Sequence, residues 1–390
     1  MEFLDLVESI RAEEANVRRL FESEGTPVRN MRKNPKYMAN LVEATKLVAD
    51  VYSGRLRPHY LSEAMTTSDF PYLFGDIIDR QLLANYQEAP YSWNKFCHKS
   101  IVPDFRQVRR LVMNGAEGTL DLVPERDEYP QVSMTDARYT YAVQKYGKTI
   151  PISWETIIND DLQAFRDIPE RFGKSCRRTE EKFATSLFFG STGPNATFFS
   201  DTNNNLVHLG ATPNPPLSMA SLEAAMGYLL TMKDADGQPI QINRMTLIVP
   251  PQLMIRAGNL INSRETWYNE GPGTTNEQVH IQNWLRGAGI IDMAVNYYIP
   301  IVATTNGATS WMLVADPNEG RPAAELGFLR GWEQPQVFIK VANMQPIGAG
   351  AVNPLDGDFD TDSILYKVRH VLGGTLIDPR MAVASNGSGS

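Results

Sequence analysis

The stretch from Arg138 to Gly190 constrains this chain more than any other. It opens on YTYAVQKYGKTIPISWE, where Tyr139, Tyr141 and Val143 alternate with Thr140, Ala142 and Gln144, the period of a strand with two unlike faces. It continues into a segment where Leu162, Phe165, Ile168, Phe172, Cys176, Thr179, Phe183 and Leu187 recur at spacings of three and four. That spacing lays one apolar stripe along a helix, with Arg171, Lys174, Arg177, Arg178, Glu180, Glu181 and Lys182 around the rest. Asp167 reads as an N-cap and Pro169 as the opening of the main part of the helix, where a missing N–H does no harm. The chain must therefore place a long extended arm directly before a long amphipathic rod.

At 390 residues it exceeds one ordinary core and implies two domains plus extensions. A hydrophobic fraction of 42% and a charged fraction of 21% are those of a globular chain, not a disordered one. Cys97 and Cys176 have neither metal-binding nor redox spacing, which fits a reduced, intracellular origin. The start, MEFLDLVESIRAEE, carries acids where a secretory signal needs bases and an apolar run. No window approaches the roughly 20 apolar residues that span a bilayer, so the expected product is cytoplasmic and has no membrane partner.

A net charge of −8 argues against a sequence-reading nucleic-acid binder, whose domain is usually basic. Charge is unevenly distributed, however. Between Gly25 and Tyr60 stand Arg29, Arg32, Lys33, Lys36, Lys46, Arg55 and Arg57, against only Glu43 and Asp50. Between Gly115 and Asp136 stand Glu117, Asp121, Glu125, Asp127, Glu128 and Asp136, against Arg126 alone. Each imbalance is either a solvated face or a charged contact.

Along the chain, apolar periodicity predicts helices over 2–22, 36–52 and 72–86, with a polar linker at 55–69. Residues 98–113 alternate as a strand, Asn114-Gly115 with Gly118 marks a bend, and the acidic run to Arg138 reads as an outlying hairpin. After a Gly-, Asn- and Pro-rich loop to Pro216, helices and strands alternate. Ser218 caps a helix whose Met219, Leu222, Met226, Leu229 and Leu230 face inward. Strands are expected at 246–249, 290–302, 311–315, 325–330, 336–341 and 363–372, and a helix runs from Pro250-Pro251 to about Asn262. Residues 265–277 read as a loop, and the tail from Asn386 as flexible.

Catalytic signatures are missing: no G-x-S-x-G elbow, no P-loop, no H-E-x-x-H. The pairs Gly348-Ala-Gly350 and Gly271-Pro-Gly273 lack a third glycine, and the five histidines share no ligand spacing. Asp356, Asp358, Asp360 and Asp362 alternate like the start of a calcium loop. Counted from Asp356, however, the required glycine is Thr361 and the bidentate glutamate is Lys367. No catalytic, cofactor or metal residues are assigned; whether the 356–362 segment holds a cation stays open.

An arm, an extended acidic hairpin, a long helix, a compact α/β block and a returning strand, in that order, resemble the major capsid proteins of tailed bacteriophages, the Hong Kong ninety-seven fold. The resemblance implies an α+β chain with an N-terminal arm (1–69) and a peripheral domain (70–210) that includes the E-loop (103–151) and the spine helix (161–189). An axial domain (211–343) and a return to the peripheral domain with a flexible C-terminus (344–390) complete it. It implies a non-enzymatic head protein that forms hexamers and pentamers of an icosahedral shell around double-stranded DNA, in virions assembled in the host cytoplasm. Implied partners are the protein itself, portal and scaffold proteins, and packaged DNA contacted without sequence preference; a decoration protein, the triangulation number and the host are left open. In the family the E-loop overlies an adjacent peripheral domain. Here that implies contact between Glu117, Asp121, Glu125, Asp127 and Glu128 of one subunit and Arg171, Lys174, Arg177, Arg178 and Lys182 of the next. Arg29, Arg32, Lys33 and Lys36 would face the DNA. Some members weld their shells with a loop lysine, but no lysine lies between Lys99 and Lys145, so a welded shell is not expected. The arm is also short for a cleaved scaffolding segment. Two other readings stand: an encapsulin-like compartment of the same fold, and a small α/β enzyme within 211–343.

Overall fold

The computed structural model describes residues 7–13, 35–53, 55–57, 60, 64, 70–114, 135–153, 163–234, 237–269, 278–285, 289–319, 321–340, 343 and 358–389. It is a mixed helix and sheet protein of two compact units. The first comprises Met1–Pro90, Lys145–Arg178 and Trp332–Val371; the second comprises Tyr91–Gln144, Thr179–Gly331 and Leu372–Ser390. The long helix Gln163–Phe188 passes from the first to the second after Arg178, and the strand Ser363–Leu376 does so after Val371.

In the first unit, the helix Pro35–Tyr52 buries Met38, Leu41, Val42, Val48 and Ala49, the three–four spacing of an apolar stripe. These pack with Ile77 and Leu82 of the helix Phe70–Glu88, with Ile168, Phe172 and Cys176 of the long helix, and with Ile364, Tyr366 and Val368. Each such large side chain contributes about 1.5–3 kcal/mol by leaving water. At Gly173 the helices approach so closely that a Cβ would stand 3.0 Å from the Tyr86 nitrogen and 3.1 Å from the Leu82 oxygen. Gln336–Ile339 runs antiparallel to the first half of Ser363–Leu376, with Gln336 opposite Arg369, and Gln144–Ser153 also pairs with that strand.

In the second unit, Met245–Val249 is central to a four-stranded sheet. It lies parallel to Ile291–Val295 and antiparallel to Trp311–Ala315, which pairs in turn with Ala382–Ser385. Met245–Val249 and Trp311–Ala315 are buried at every position, so they read as apolar runs without alternation. His98–Val102 lies parallel to Ala324–Leu329, which runs antiparallel to Leu372–Leu376. Ser218 caps Met219–Leu230 as read, and Ser221 completes a capping box, but Leu230 is exposed and Met219 only half-buried.

Several elements differ from the sequence reading. The arm before the long helix is two strands, Thr135–Tyr141 and Gln144–Ser153. Between them the backbone passes Gly373 so closely that a Cβ there would lie 2.5 Å from the Ala142 oxygen. Residues 98–113 also split, because Pro103 cannot donate a ladder bond and Asp104 accepts from the Arg106 amide at 3.0 Å. Pro169 lies inside the helix, six residues past its start at Gln163. There its absent N–H and its ring cost about 3 kcal/mol of helix, which the burial of Ile168 and Phe172 offsets. The expected loop at 265–277 contributes Glu265–Asn269, antiparallel to Gln278–Gln282. The expected strand at 290–302 ends at Val295, and Ile299–Val302 is a short helix. The tail is held: Thr309 Oγ1 donates to the Asn386 oxygen at 2.7 Å and the Gly389 amide to the Asn214 oxygen at 2.8 Å. Gly387, at φ +68°, fits because a Cβ would meet the Thr309 oxygen at 2.4 Å.

Candidate functional site: the hairpin root and the long helix

Val108–Asn114 and Thr135–Tyr141 form a hairpin in a register running from Val108 opposite Tyr141 to Asn114 opposite Thr135. Its root is fixed by one buried charge. Glu325, with its side chain 5% exposed, sits within the apolar strand Ala324–Leu329. Arg110 grips it as a fork: Nε at 2.9 Å from Oε1 and 3.1 Å from Oε2, and Nη2 at 2.7 Å from Oε1. Tyr141 Oη donates to Oε1 at 2.6 Å, and Arg110 Nη2 also bonds Ser100 Oγ. An unpaired carboxylate there would cost several kcal/mol, so both strands of the hairpin are bound to one acid. Burial acts to raise the Glu325 pKa, but hydrogen bonds from Arg110, Ser100 and Tyr141 prevail and hold it below the usual carboxylate value. Burial, and then the bond to Glu325, push the Tyr141 phenol well above its ordinary value. Gly327 makes room: a Cβ there would lie 2.5 Å from Tyr141 Oη.

The sequence reading treated Glu325 only as the start of a strand. The signal was present: one acid inside the otherwise apolar run AAELGFL.

The long helix also departs from its predicted pattern. Glu180 and Glu181, assigned to the polar face, are buried, at 0% and 7% exposure. Trp93 Nε1 donates to Glu180 at 3.0 Å. Glu181 accepts from the Ser92 amide at 3.0 Å, the Trp93 amide at 3.1 Å and the Ser92 hydroxyl. Burial raises the Glu181 pKa above its ordinary value, assisted by the neighbouring Glu180 and opposed by these hydrogen bonds. Acids are predicted outward on a helix; these two face inward because a tryptophan indole and two backbone amides need acceptors there.

Arg177 is buried as well. Its guanidinium lies 3.7 Å over the Tyr86 ring, and Nε donates to the Tyr86 oxygen at 2.8 Å. Arg171, Lys174, Arg178 and Lys182 are exposed, and Lys174 pairs with Glu170 one turn away. Of the cations expected to face DNA, Lys36 is described and exposed; Arg29, Arg32 and Lys33 lie outside the described residues, as do Glu117, Asp121, Glu125, Asp127 and Glu128. From the aspartate cluster, Asp358 pairs with Lys340 at 2.9 Å. Among the described residues no three His, Cys, Asp or Glu side chains form a metal-holding group, and no helix is long and apolar enough to cross a membrane.

In this arrangement buried charges fix strands and helices in place, with Arg110 and Tyr141 holding both strands of the hairpin root to Glu325. Residues 138–385 match the model of the phage capsid protein family, well over half of the chain, so the chain belongs to that family. It is a major capsid protein and forms the shell. Among solved structures, the capsid of Ralstonia phage GP4 is similar at 10% identity and a TM-score of 0.47, covering 75% of this chain and 88% of that one. The capsid of cyanophage P-SCSP1u is similar at 10% identity and a TM-score of 0.42, covering 76% and 88%. An empty GTA particle shows 11% identity and a TM-score of 0.43, covering 76% and 90%. No curated protein matches the sequence.

Proposed function

We propose that this capsid protein has the Hong Kong ninety-seven arrangement, with an arm at 1–69, a peripheral domain at 70–210, an axial domain at 211–343 and a return at 344–390. It assembles as hexamers and pentamers into an icosahedral shell around double-stranded DNA, aided by portal and scaffold proteins in the host cytoplasm, and it has no catalytic role. The observation that carries this reading is the hairpin root. Two strands tied to one buried acid release twenty residues, 115–134, before the chain returns. A segment of that length, extended and folded back, reaches about 33 Å, far enough to meet a second subunit.

Its acids, Glu117, Asp121, Glu125, Asp127 and Glu128, lie against the exposed cations Arg171, Lys174, Arg178 and Lys182 of a neighbour. Arg177, being buried, contributes by shaping the helix. Exposed pairs are worth only about 0–1 kcal/mol each, so they set register and encounter rate while Leu120, Leu122, Val123 and Val132 supply the burial. Arg29, Arg32, Lys33 and Lys36 face the DNA and touch phosphates only. The test is the triple charge reversal E125K/D127K/E128K. Shell yield, measured by sedimentation, should fall and the loss should depend on salt, with the subunit still folded; normal yield at low and high salt removes the charge-matching argument.

A further inference from the structure

The sheet of the first unit has one face in its core and one outside it. Ile364, Tyr366, Val368 and Ile152 face the core, with Ile150 and Val337 packed against them. Alternation therefore sends Lys145 and Thr149, Lys367 and Arg369, and Gln336 and Phe338 to the opposite face. The register sets Gln336 beside Arg369 and Phe338 beside Lys367. In a chain of net charge −8, the strand segments 144–153, 336–339 and 363–371 contain no acid at all. Asp362, Glu155 and Glu333 are the nearest acids in sequence, one, two and three residues outside their strands.

The aromatic residues on this face have a specific role. The Arg369 guanidinium lies 4.9 Å from the Trp332 ring centre and 4.6 Å from that of Phe338, and Nη2 donates to Gln336 Oε1 at 2.9 Å. Lys367 Nζ lies 5.2 Å from the Phe338 centre. The two rings and Gln336 hold the guanidinium in place, and among the described residues its other N–H groups are left to serve as a fork for an oxyanion.

We infer that this face is a phosphate-binding surface for duplex DNA, with Arg369 as its preorganised anchor and Lys145 and Lys367 as point charges beside it. The occupant is chosen on charge: three cations, no acid on the strands and a planar fork suit a row of phosphates, and nothing here reads bases, so binding is independent of sequence. The inference rests on the reading that the shell encloses DNA, and it assigns to that role a surface distinct from residues 29–36.

The test is fluorescence anisotropy of a labelled 20-base-pair duplex with the purified chain over a salt series. K145Q/K367Q/R369Q should lower the slope of log K against log salt by about 2–3, at about 0.9 for each phosphate that is no longer neutralised. W332A, which removes a 42%-exposed ring and no charge, should weaken binding at an unchanged slope. A triple variant that stays folded by circular dichroism and binds with the wild-type slope overturns the proposal. So does a peptide of residues 115–134 that binds this face more tightly than the duplex, which would assign it to a second copy of the chain. Whether isolated shells protect DNA from nuclease is measured separately, so failure of the DNA-enclosing reading can be told from failure of this one.

Discussion

Replacing Arg110 with alanine removes the fork from Glu325 and leaves a nearly buried carboxylate with only Tyr141 and Ser100 as donors. Breaking a fully buried ion pair costs about 3–5 kcal/mol. Here the Arg110 side chain is 39% exposed against 5% for Glu325, so water reaches one partner and the cost falls to about 2 kcal/mol. Hydrogen exchange in the strands Val108–Asn114 and Thr135–Tyr141 reads this directly, because the root governs their opening. A loss of about 2 kcal/mol speeds their exchange about 30-fold. E325Q alone removes the buried charge and leaves Arg110 to solvent, at about 1 kcal/mol. The double variant R110A/E325Q should then cost about 1–2 kcal/mol less than the two single effects added, since the stranded carboxylate is gone. Strand exchange within about threefold of wild type in R110A, or additive effects in the double variant, would refute the lock.

Three more outcomes follow from the structure. Because the Glu181 pKa is raised, its contribution is fully present below the unfolded value near 4.5 and is lost as pH rises through the folded value. Urea titrations from pH 4 to 7 should therefore show the advantage of wild type over E181Q shrinking as pH rises; a growing advantage contradicts the assignment. For Glu325, whose pKa is lowered, the sign reverses: stability is present above about 4.5 and is lost as pH falls through the folded value, and E325Q should remove that loss. In G147A the new methyl would stand 2.6 Å from the Val368 oxygen, so the first unit should lose about 1–3 kcal/mol in the same titrations.

The sequence revealed the periodic parts well and the interrupted parts poorly. Phe172 and Cys176 lie in the core as their helical spacing implied, and Met38, Leu41 and Val48 lie there on a helix whose position was predicted. Met245–Val249 and Trp311–Ala315 were visible as short apolar runs. What escaped depends on residues far apart in sequence meeting in the fold. Ala142 and Val143 interrupt an alternating strand because Gly373 admits their backbone, and Asn386–Gly389 is held by Asn214 and Thr309 despite its linker-like composition. The polar site was hidden for the same reason. Glu325, Glu180, Glu181 and Arg177 look like surface charges until Arg110, Trp93, Ser92 and Tyr86 are brought beside them. Capsid membership was legible from the order of elements, because a long helix preceded by an acidic hairpin is set by chain order and not by any single residue.

The central claim is that this chain builds a closed shell in which each subunit's acidic segment crosses to a neighbour. Electron microscopy of the purified, assembled protein tests it most directly. The account predicts closed icosahedral particles with density for residues 115–134 lying over the long helix of an adjacent subunit. Protein that stays monomeric, or shells in which that segment folds back onto its own subunit, would contradict it.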